Sequence, residues 1–217
     1  MHDLRSPITG IALLTEFLLD SENLNEDEKQ MVQLIKDSSE DSLKFVNDLL
    51  NEGSARMEMD KELVDLEKLL KYCVNLLQYK ALEKNQKIIL NSQPVQFMLN
   101  REKIYRVISN LITNAIKFSP PETEIKVSLK LLDEIAMISI QDTGIGMPEE
   151  IKNNIFSLQE NVKREGTEGE KSYGIGLITS KKIIEAHAGK LWFESTVHKG
   201  STFFVKLPII CNVATAK

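Results

Sequence analysis

The sequence predicts an α + (α+β) chain, an N-terminal antiparallel helical hairpin followed by a sandwich of helices on a mixed sheet. Three features carry this. Apolar residues recur at helical spacing from Leu4 to Leu18, a second helical run restarts after a break rich in turn and cap residues, and later helical stretches mix with short strands without strict βαβ order. The 217 residues suffice for two modest domains, since domains commonly hold about 100–150 residues. With 42% apolar and 27% charged residues there is material for a core, which argues against disorder. The net charge of −5, with Lys and Arg dispersed along the chain, argues against a nucleic-acid partner. No apolar run approaches the roughly 18 residues of a bilayer span, and the start lacks the basic and apolar regions of a signal peptide, so the expected setting is cytoplasmic. Cys73 and Cys211, far apart in apolar company, read as buried thiols rather than a disulfide or zinc site.

In the first helix Leu4, Ile8, Ile11, Thr15 and Leu18 hold one stripe. DSENLNEDE, residues 20–28, interrupts it, and Asn25 with Glu28 forms a candidate capping pair for the next helix. That helix carries Met31, Ile35, Ser38, Ser42, Phe45 and Leu49 at heptad spacing and ends near Gly53. A hairpin of this size cannot bury its stripe alone, so packing need predicts a homodimer with a four-helix bundle. On the helical wheel His2 lies roughly 160° from the stripe and faces outward. Asp3 beside it can orient the Nδ1 proton and leave Nε2 nucleophilic. Pro7 has no amide hydrogen for the Asp3 carbonyl, so a loosened turn is expected there. Leu13 and Phe17 project on the histidine side as an apolar landing pad for another domain.

MEMDKELVD, residues 57–65, is polar and reads as linker. A helix at 66–85 follows, then two short extended stretches split by Pro94, then a helix at 101–119 stopped by Pro120 and Pro121. TEIKVSLKLL and EIAMISIQD alternate as strands, a helix runs over 176–186, and KLWFES and STFFVKL close the chain as a strand pair. The expected bounds are a hairpin at 1–54, a linker at 55–62 and a second domain at 63–217.

Three stretches carry chemistry. In NLITNAIKFS, Asn110 and Asn114 share a helical face with Lys117 one turn on, a set suited to hard Mg²⁺ and a phosphate. In QDTGIGMPEE, a strand ends on Asp142, whose carboxylate can accept from an exocyclic amine, and Gly144 and Gly146 allow close backbone approach. In KSYGIGLITS, Gly174 and Gly176 open a helix whose free amides face an anion. Between Met147 and Tyr173 lie about 25 mostly polar residues, the length of a functional lid or linker. Each stretch alone has an ordinary reading as surface amides, a glycine turn or a common GxG.

Their order along the chain is far more specific. HDLRSPITGI resembles the phosphoacceptor box of sensor histidine kinases of two-component signalling, NLITNAIKFSP their asparagine box, DTGIGM and YGIGL their two glycine boxes, and GSTFFVKLP the closing strand of the GHKL ATPase domain shared with gyrase, Hsp90 and MutL. The resemblance covers nearly the whole chain and implies a fold, a half-bundle hairpin plus a GHKL-type α/β sandwich, and an activity. His2 would accept the γ-phosphoryl group of ATP, with Asp3 as base or orienter and Ser6, where many relatives carry Thr or Asn, as the residue positioning water for a phosphatase reaction. Asn114, assisted by Asn110, would hold Mg²⁺, Lys117 and Lys171 would meet phosphates, and Gly174 and Gly176 would cradle them. Asp142 would read the adenine amino group, Gly144 and Gly146 would make room, and Thr202 would support the adenine site through a water. The implied partners are a response regulator receiver domain and a second copy of the chain. Relatives extend further upstream of the histidine, so the resemblance implies a longer parent, attached to a membrane only through those segments, and a weakened dimer here.

In related ATPases a glutamate that activates water stands where Asn110 stands. An amide cannot take a proton, which favours a kinase over a hydrolase of the gyrase and MutL kind. A nucleotide-binding module that docks a regulator without transferring phosphate is the alternative. His187 reads as serving a helix end, His198 as a loop residue, and Trp192, Phe193, Phe203 and Phe204 as core.

Overall fold

The computed structural model describes residues 2–19, 24, 25, 28, 29, 31–33, 35, 36, 39, 60–157, 166–170 and 175–208, with side chains from Pro7 onward and without that of Ile175. The chain divides into two compact units, residues 1–56 and 57–217.

In the first unit, helix α1 (His2–Leu19) contains Pro7. Asn25 and Glu28 cap reciprocally, the Glu28 amide donating to Asn25 Oδ1 and the Asn25 amide to Glu28 Oε2, both at 2.9 Å. This is the capping box the spacing predicts, and it satisfies two amides that a helix start leaves orphaned. The chain doubles back so that Lys36 Nζ meets Glu16 Oε1 at 3.1 Å. Thr15 and Ser39 are buried, each hydroxyl turned onto its own helix. Ile11, Leu18, Met31 and Ile35 stay exposed on the single chain, as do Leu13 and Phe17.

In the second unit, strand β1 (Glu62–Asp65) pairs antiparallel with β3 (Gln96–Leu99) as a two-stranded sheet. This corrects the reading of 57–65 as linker throughout. Only Val64 of that strand is buried, so it shows no alternating pattern, and its partner lies more than thirty residues away. Asp65 caps helix α2 (Leu66–Glu83) by accepting from the Lys68 amide at 3.0 Å, which holds its carboxyl below the usual range. After β2 (Lys87–Asn91) and β3 comes α3 (Arg101–Phe118), capped by Asn100 in the same way.

Strands β4 (Glu124–Leu132), β5 (Ile135–Gln141), β6 (Lys190–Thr196) and β7 (Gly200–Pro208) join β2 in a mixed sheet ordered β2-β4-β5-β7-β6, parallel only between β2 and β4. Alternate residues such as Val127, Ile138, Ile140 and Val205 are buried, while Lys126, Ser128 and Lys130 point the other way. The buried face packs on α2, α3 and α5 (Ile175–Ala186), each fully buried Leu or Ile contributing about 1.5–3 kcal/mol. A single turn, α4 (Glu149–Lys152), follows the loop after β5. Phe203 belongs to the core, whereas Trp192 and Phe204 stack at 5.1 Å on the opposite face, half-buried, because strand alternation turns them outward. Cys73 is buried, which pushes its thiol up to about 11, and Cys211 lies outside the described residues. Among the described residues no helix is long and apolar enough to cross a membrane.

His187, buried just past α5, ties two helices together. Its Nδ1 donates to the Ile183 carbonyl at 2.8 Å and its Nε2 accepts from the Asn100 amide at 3.1 Å, a pairing that only the neutral ring can make. Burial draws its pKa down, Lys61 and Lys103 add to this, and the Ile183 bond opposes it. A depressed histidine pKa gives stability that is complete above the unfolded value of about 6.5 and is lost as pH falls through the folded value. Thermal unfolding of the chain from pH 7.5 to pH 5 will show a decline in Tm that His187→Gln flattens, with Gln also costing roughly 1–3 kcal/mol at neutral pH.

Candidate functional site

Helix α3 sets the frame. Leu111, Ile112, Ala115 and Ile116 bury one face, so Asn110, Asn114 and Lys117, at i, i+4 and i+7, form a half-buried stripe beside the core. Asn110 Nδ2 donates to Ser180 Oγ of α5 at 3.0 Å, and its Oδ1 lies so close to Gly176 that a Cβ there would collide with it. The amide of Asn110 therefore locks α3 to the start of α5. Gly176 is glycine for that close approach.

The last turn of a helix leaves carbonyls without intrahelical partners. In α3 they are taken by other segments. Gln86 Nε2 donates to the carbonyls of Ile116 at 3.1 Å, Ser119 at 2.9 Å and Pro120 at 3.0 Å. The Ile145 amide donates to the Phe118 carbonyl at 3.1 Å, bringing the DTGIG loop onto the helix end. The Thr167 amide donates to the Lys117 carbonyl at 3.0 Å, and Thr167 Oγ1 to that of Ser119 at 2.8 Å.

Within the DTGIG loop, Asp142 is 6% exposed and its Oδ1 accepts from the Gly144 amide at 2.9 Å and the Ser201 amide at 3.0 Å. Those two bonds fix the carboxylate and leave Oδ2 outside them. Burial raises its pKa, against the two amide bonds that lower it. A Cβ on Gly144 would strike the Phe118 carbonyl, and Gly146, at φ +63°, holds a left-handed turn against the Thr196 carbonyl. Both glycines thus serve the packing of the loop.

Thr202 is not the strand residue that meets Asp142. It pairs with Gln141 and Glu194 in register, and alternation puts its side chain opposite to buried Ser201 and Phe203. Ser201 makes the contact through its amide. Lys171 and Gly174 lie outside the described residues, as do the side chains of His2, Asp3 and Ser6, whose backbone belongs to α1 in the other unit. The sequence reading missed Ser201, Gln86, Lys84, Thr167 and Glu170. Only Ser201, next to Gly200, has a local signal.

Asn110, Asn114, Lys117, Asp142, Gly144, Gly146 and Gly176 are thus tied to one helix and the loops docked on it. A fixed buried acceptor, a half-buried amide and a cation can take a ligand with an amine donor at one end and anionic groups at the other. Among the described residues no three His, Cys, Asp or Glu side chains cluster for a metal. A divalent ion would rest on amide oxygen and on the ligand's own oxygens, a donor set that suits Mg²⁺.

Residues 99–210 match the family of histidine kinase-, DNA gyrase B- and HSP90-like ATPases, and residues 1–58 match the His Kinase A phospho-acceptor domain. The adaptive-response sensory kinase SasA of Gloeothece citriformis is 34% identical over 96% of the chain, which spans 56% of that kinase. The sensor protein kinase WalK of Staphylococcus haemolyticus is 29% identical over 98% of the chain and 36% of the kinase. The catalytic domain of histidine kinase ThkA is 27% identical at a TM-score of 0.61, covering 70% of the chain and 97% of that domain. Full-length ShkA, solved with AMPPNP, shares the fold over 95% of the chain and 44% of its own length at a TM-score of 0.76 and 23% identity. ThkA in complex with response regulator protein TrrA shares it over 96% of the chain and 59% of that protein, at a TM-score of 0.69 and 24% identity. Two matched domains in kinase order, on a sandwich whose asparagine helix and glycine loops meet as described, make the chain a member of the sensor histidine kinases with a GHKL ATPase core.

Proposed function

We propose that the chain autophosphorylates His2 from ATP and passes the phosphoryl group to an aspartate of a response regulator. The observation that carries this reading is the buried Asp142 carboxylate, fixed through Oδ1 beside the helix of Asn114 and Lys117, in a chain whose first residues match a phospho-acceptor domain.

Asp142 Oδ2 accepts from the adenine amino group. Lys117 faces the phosphates, with Lys171 and the amides following Gly174 and Gly176 at the start of α5. Asn114 supplies amide oxygen for Mg²⁺, which when bound offsets phosphate charge. Asn110 assists by holding α3 on α5, and as an amide it takes no proton from water, which preserves the γ-phosphoryl group for His2. His2 Nε2 forms the new bond to phosphorus as the bond to the β-phosphate oxygen breaks and ADP leaves, while Asp3 orients the Nδ1 proton. Ser6 positions water for dephosphorylating the regulator, the water attacking phosphorus as the bond to the aspartate oxygen breaks and inorganic phosphate leaves.

The exposed Ile11, Leu18, Met31 and Ile35 support a second copy of the chain as the partner of the hairpin. The ThkA complex is a precedent, at the level of fold, for a response regulator on such a chain. The domains are the hairpin at 1–54 and the ATP-binding domain at 63–217, joined by 55–62, whose last residue already begins β1. A need for ATP supports a cytoplasmic setting.

Incubation with γ-labelled ATP and Mg²⁺ will give acid-labile, base-stable label that His2→Gln abolishes. No label despite nucleotide binding would reduce the chain to a nucleotide-binding module that docks a regulator. Asp142 gives a second test. A raised carboxylate pKa means that the ionised group costs stability at neutral pH, a cost relieved as pH falls through the folded value. Asp142→Asn keeps Oδ1 for the two amides, removes the charge and sets a donor against the adenine amine. Its Tm will equal or exceed that of the parent at pH 7, while calorimetry will show nucleotide affinity falling by about tenfold or more, roughly 1.4 kcal/mol.

A further inference from the structure

Lys84 ends α2 at 6% exposure, an unusual place for an ammonium, since buried lysines are rare unless paired. Its Nζ donates to Thr167 Oγ1 at 2.7 Å, to Glu170 Oε1 at 3.1 Å and to the Lys117 carbonyl at 3.4 Å. Glu170 is held in turn: its Oε2 accepts from the Glu168 amide at 2.9 Å, and its carbonyl accepts from the Gly166 amide at 2.8 Å. Burial alone would raise the Glu170 pKa, but the amide bonds and Lys84 bring it below the usual carboxylate value, so this carboxyl is ionised at neutral pH. Residues 166–170 are therefore a closed loop hooked onto the end of α3.

Six residues beyond Glu170, Gly176 is packed on Asn110 of the same helix. Both ends of the stretch from 170 to 176 are thus tethered to α3, at Lys117 and at Asn110, about 10 Å apart along the helix. We propose that the Lys84–Glu170 pair is a positioning device for nucleotide binding, which fixes the loop at 166–170 on α3 without touching the nucleotide. This rests on the nucleotide-binding reading of the site. Lys84 and Glu170 act through Thr167 and the Lys117 backbone, so losing either ammonium or carboxylate frees the same loop.

The test compares the full chain with Lys84→Met, Glu170→Gln and the double variant, by hydrogen exchange and by titration with trinitrophenyl-ATP and Mg²⁺. Each single variant is expected to speed exchange of the Gly166 and Thr167 amides about tenfold, leave the amides of β4 and β5 protected, and weaken the analogue about fivefold. The double variant is expected to be no weaker than the worse single one, because both changes break one linkage. A general structural role would instead speed exchange throughout the sheet or give additive losses, and either result overturns the proposal. So does unchanged affinity in variants whose loop exchanges faster. If Lys84→Met fails to fold, Glu170→Gln, at a partly exposed residue, decides alone. Failure of the parent chain to bind the analogue would overturn the nucleotide reading, whereas binding by the parent with unaltered binding by the variants would overturn only the positioning role.

Discussion

The rest of the second unit depends on the orphan carbonyls at the end of α3. A helix end inside a protein must find donors for its last carbonyls, because a buried unsatisfied one costs about 1–3 kcal/mol. Here Ile116, Lys117, Phe118 and Ser119 are satisfied by donors from Gln86, Thr167, Lys84 and Ile145, which lie on three different segments. A local need of one helix therefore fixes the end of α2, the DTGIG loop and the 166–170 loop around it. The residues assigned to nucleotide sit on or beside those same connections. A shift of the DTGIG loop removes the donor of the Phe118 carbonyl and a shift of the Gln86 segment that of Ile116, whereas the carbonyls met by Thr167 are shared with Lys84 and Gln86.

The charged groups at this hub divide into two kinds. Lys84 and Glu170 are paired, each charge lying 3.1 Å from its opposite. Asp142 is buried with backbone amides and no cation as its hydrogen-bond partners, so it carries a desolvation cost that the fold does not need. A group kept at such a cost points to a ligand that uses it. The same logic separates Asn110 from Asn114. The first donates to Ser180 and packs against Gly176, and the second is the amide proposed above for a metal.

Much of this was legible in the sequence, and most of the misses share one cause. The helices, the strands of the main sheet, the Asn25–Glu28 capping box and the glycine loops follow from periods and caps that act within a few residues. Strand β1 was hidden because four residues paired across more than thirty give no local pattern. Lys84, Thr167 and Glu170 were hidden for the same reason, their contacts spanning more than eighty residues. The closing motif suggests Thr202 and passes over Ser201, because a motif read as a string does not show which face a strand residue takes. The register settles it. The motif reading has Gly144 and Gly146 make room for a ligand and Gly176 cradle phosphate, and the structure adds that a Cβ on any of the three would meet a neighbour within the fold.

The most direct test of the central claim, that the asparagine helix and the two glycine loops form a single nucleotide site, is amide NMR of the full chain titrated with Mg–AMPPNP. With a single site, signals of Asn114, Lys117, Gly144, Gly146, Gly176 and Ser201 will shift together with one saturation curve. Shifts confined to one of these segments, or separate saturation curves for α3 and the DTGIG loop, would contradict it.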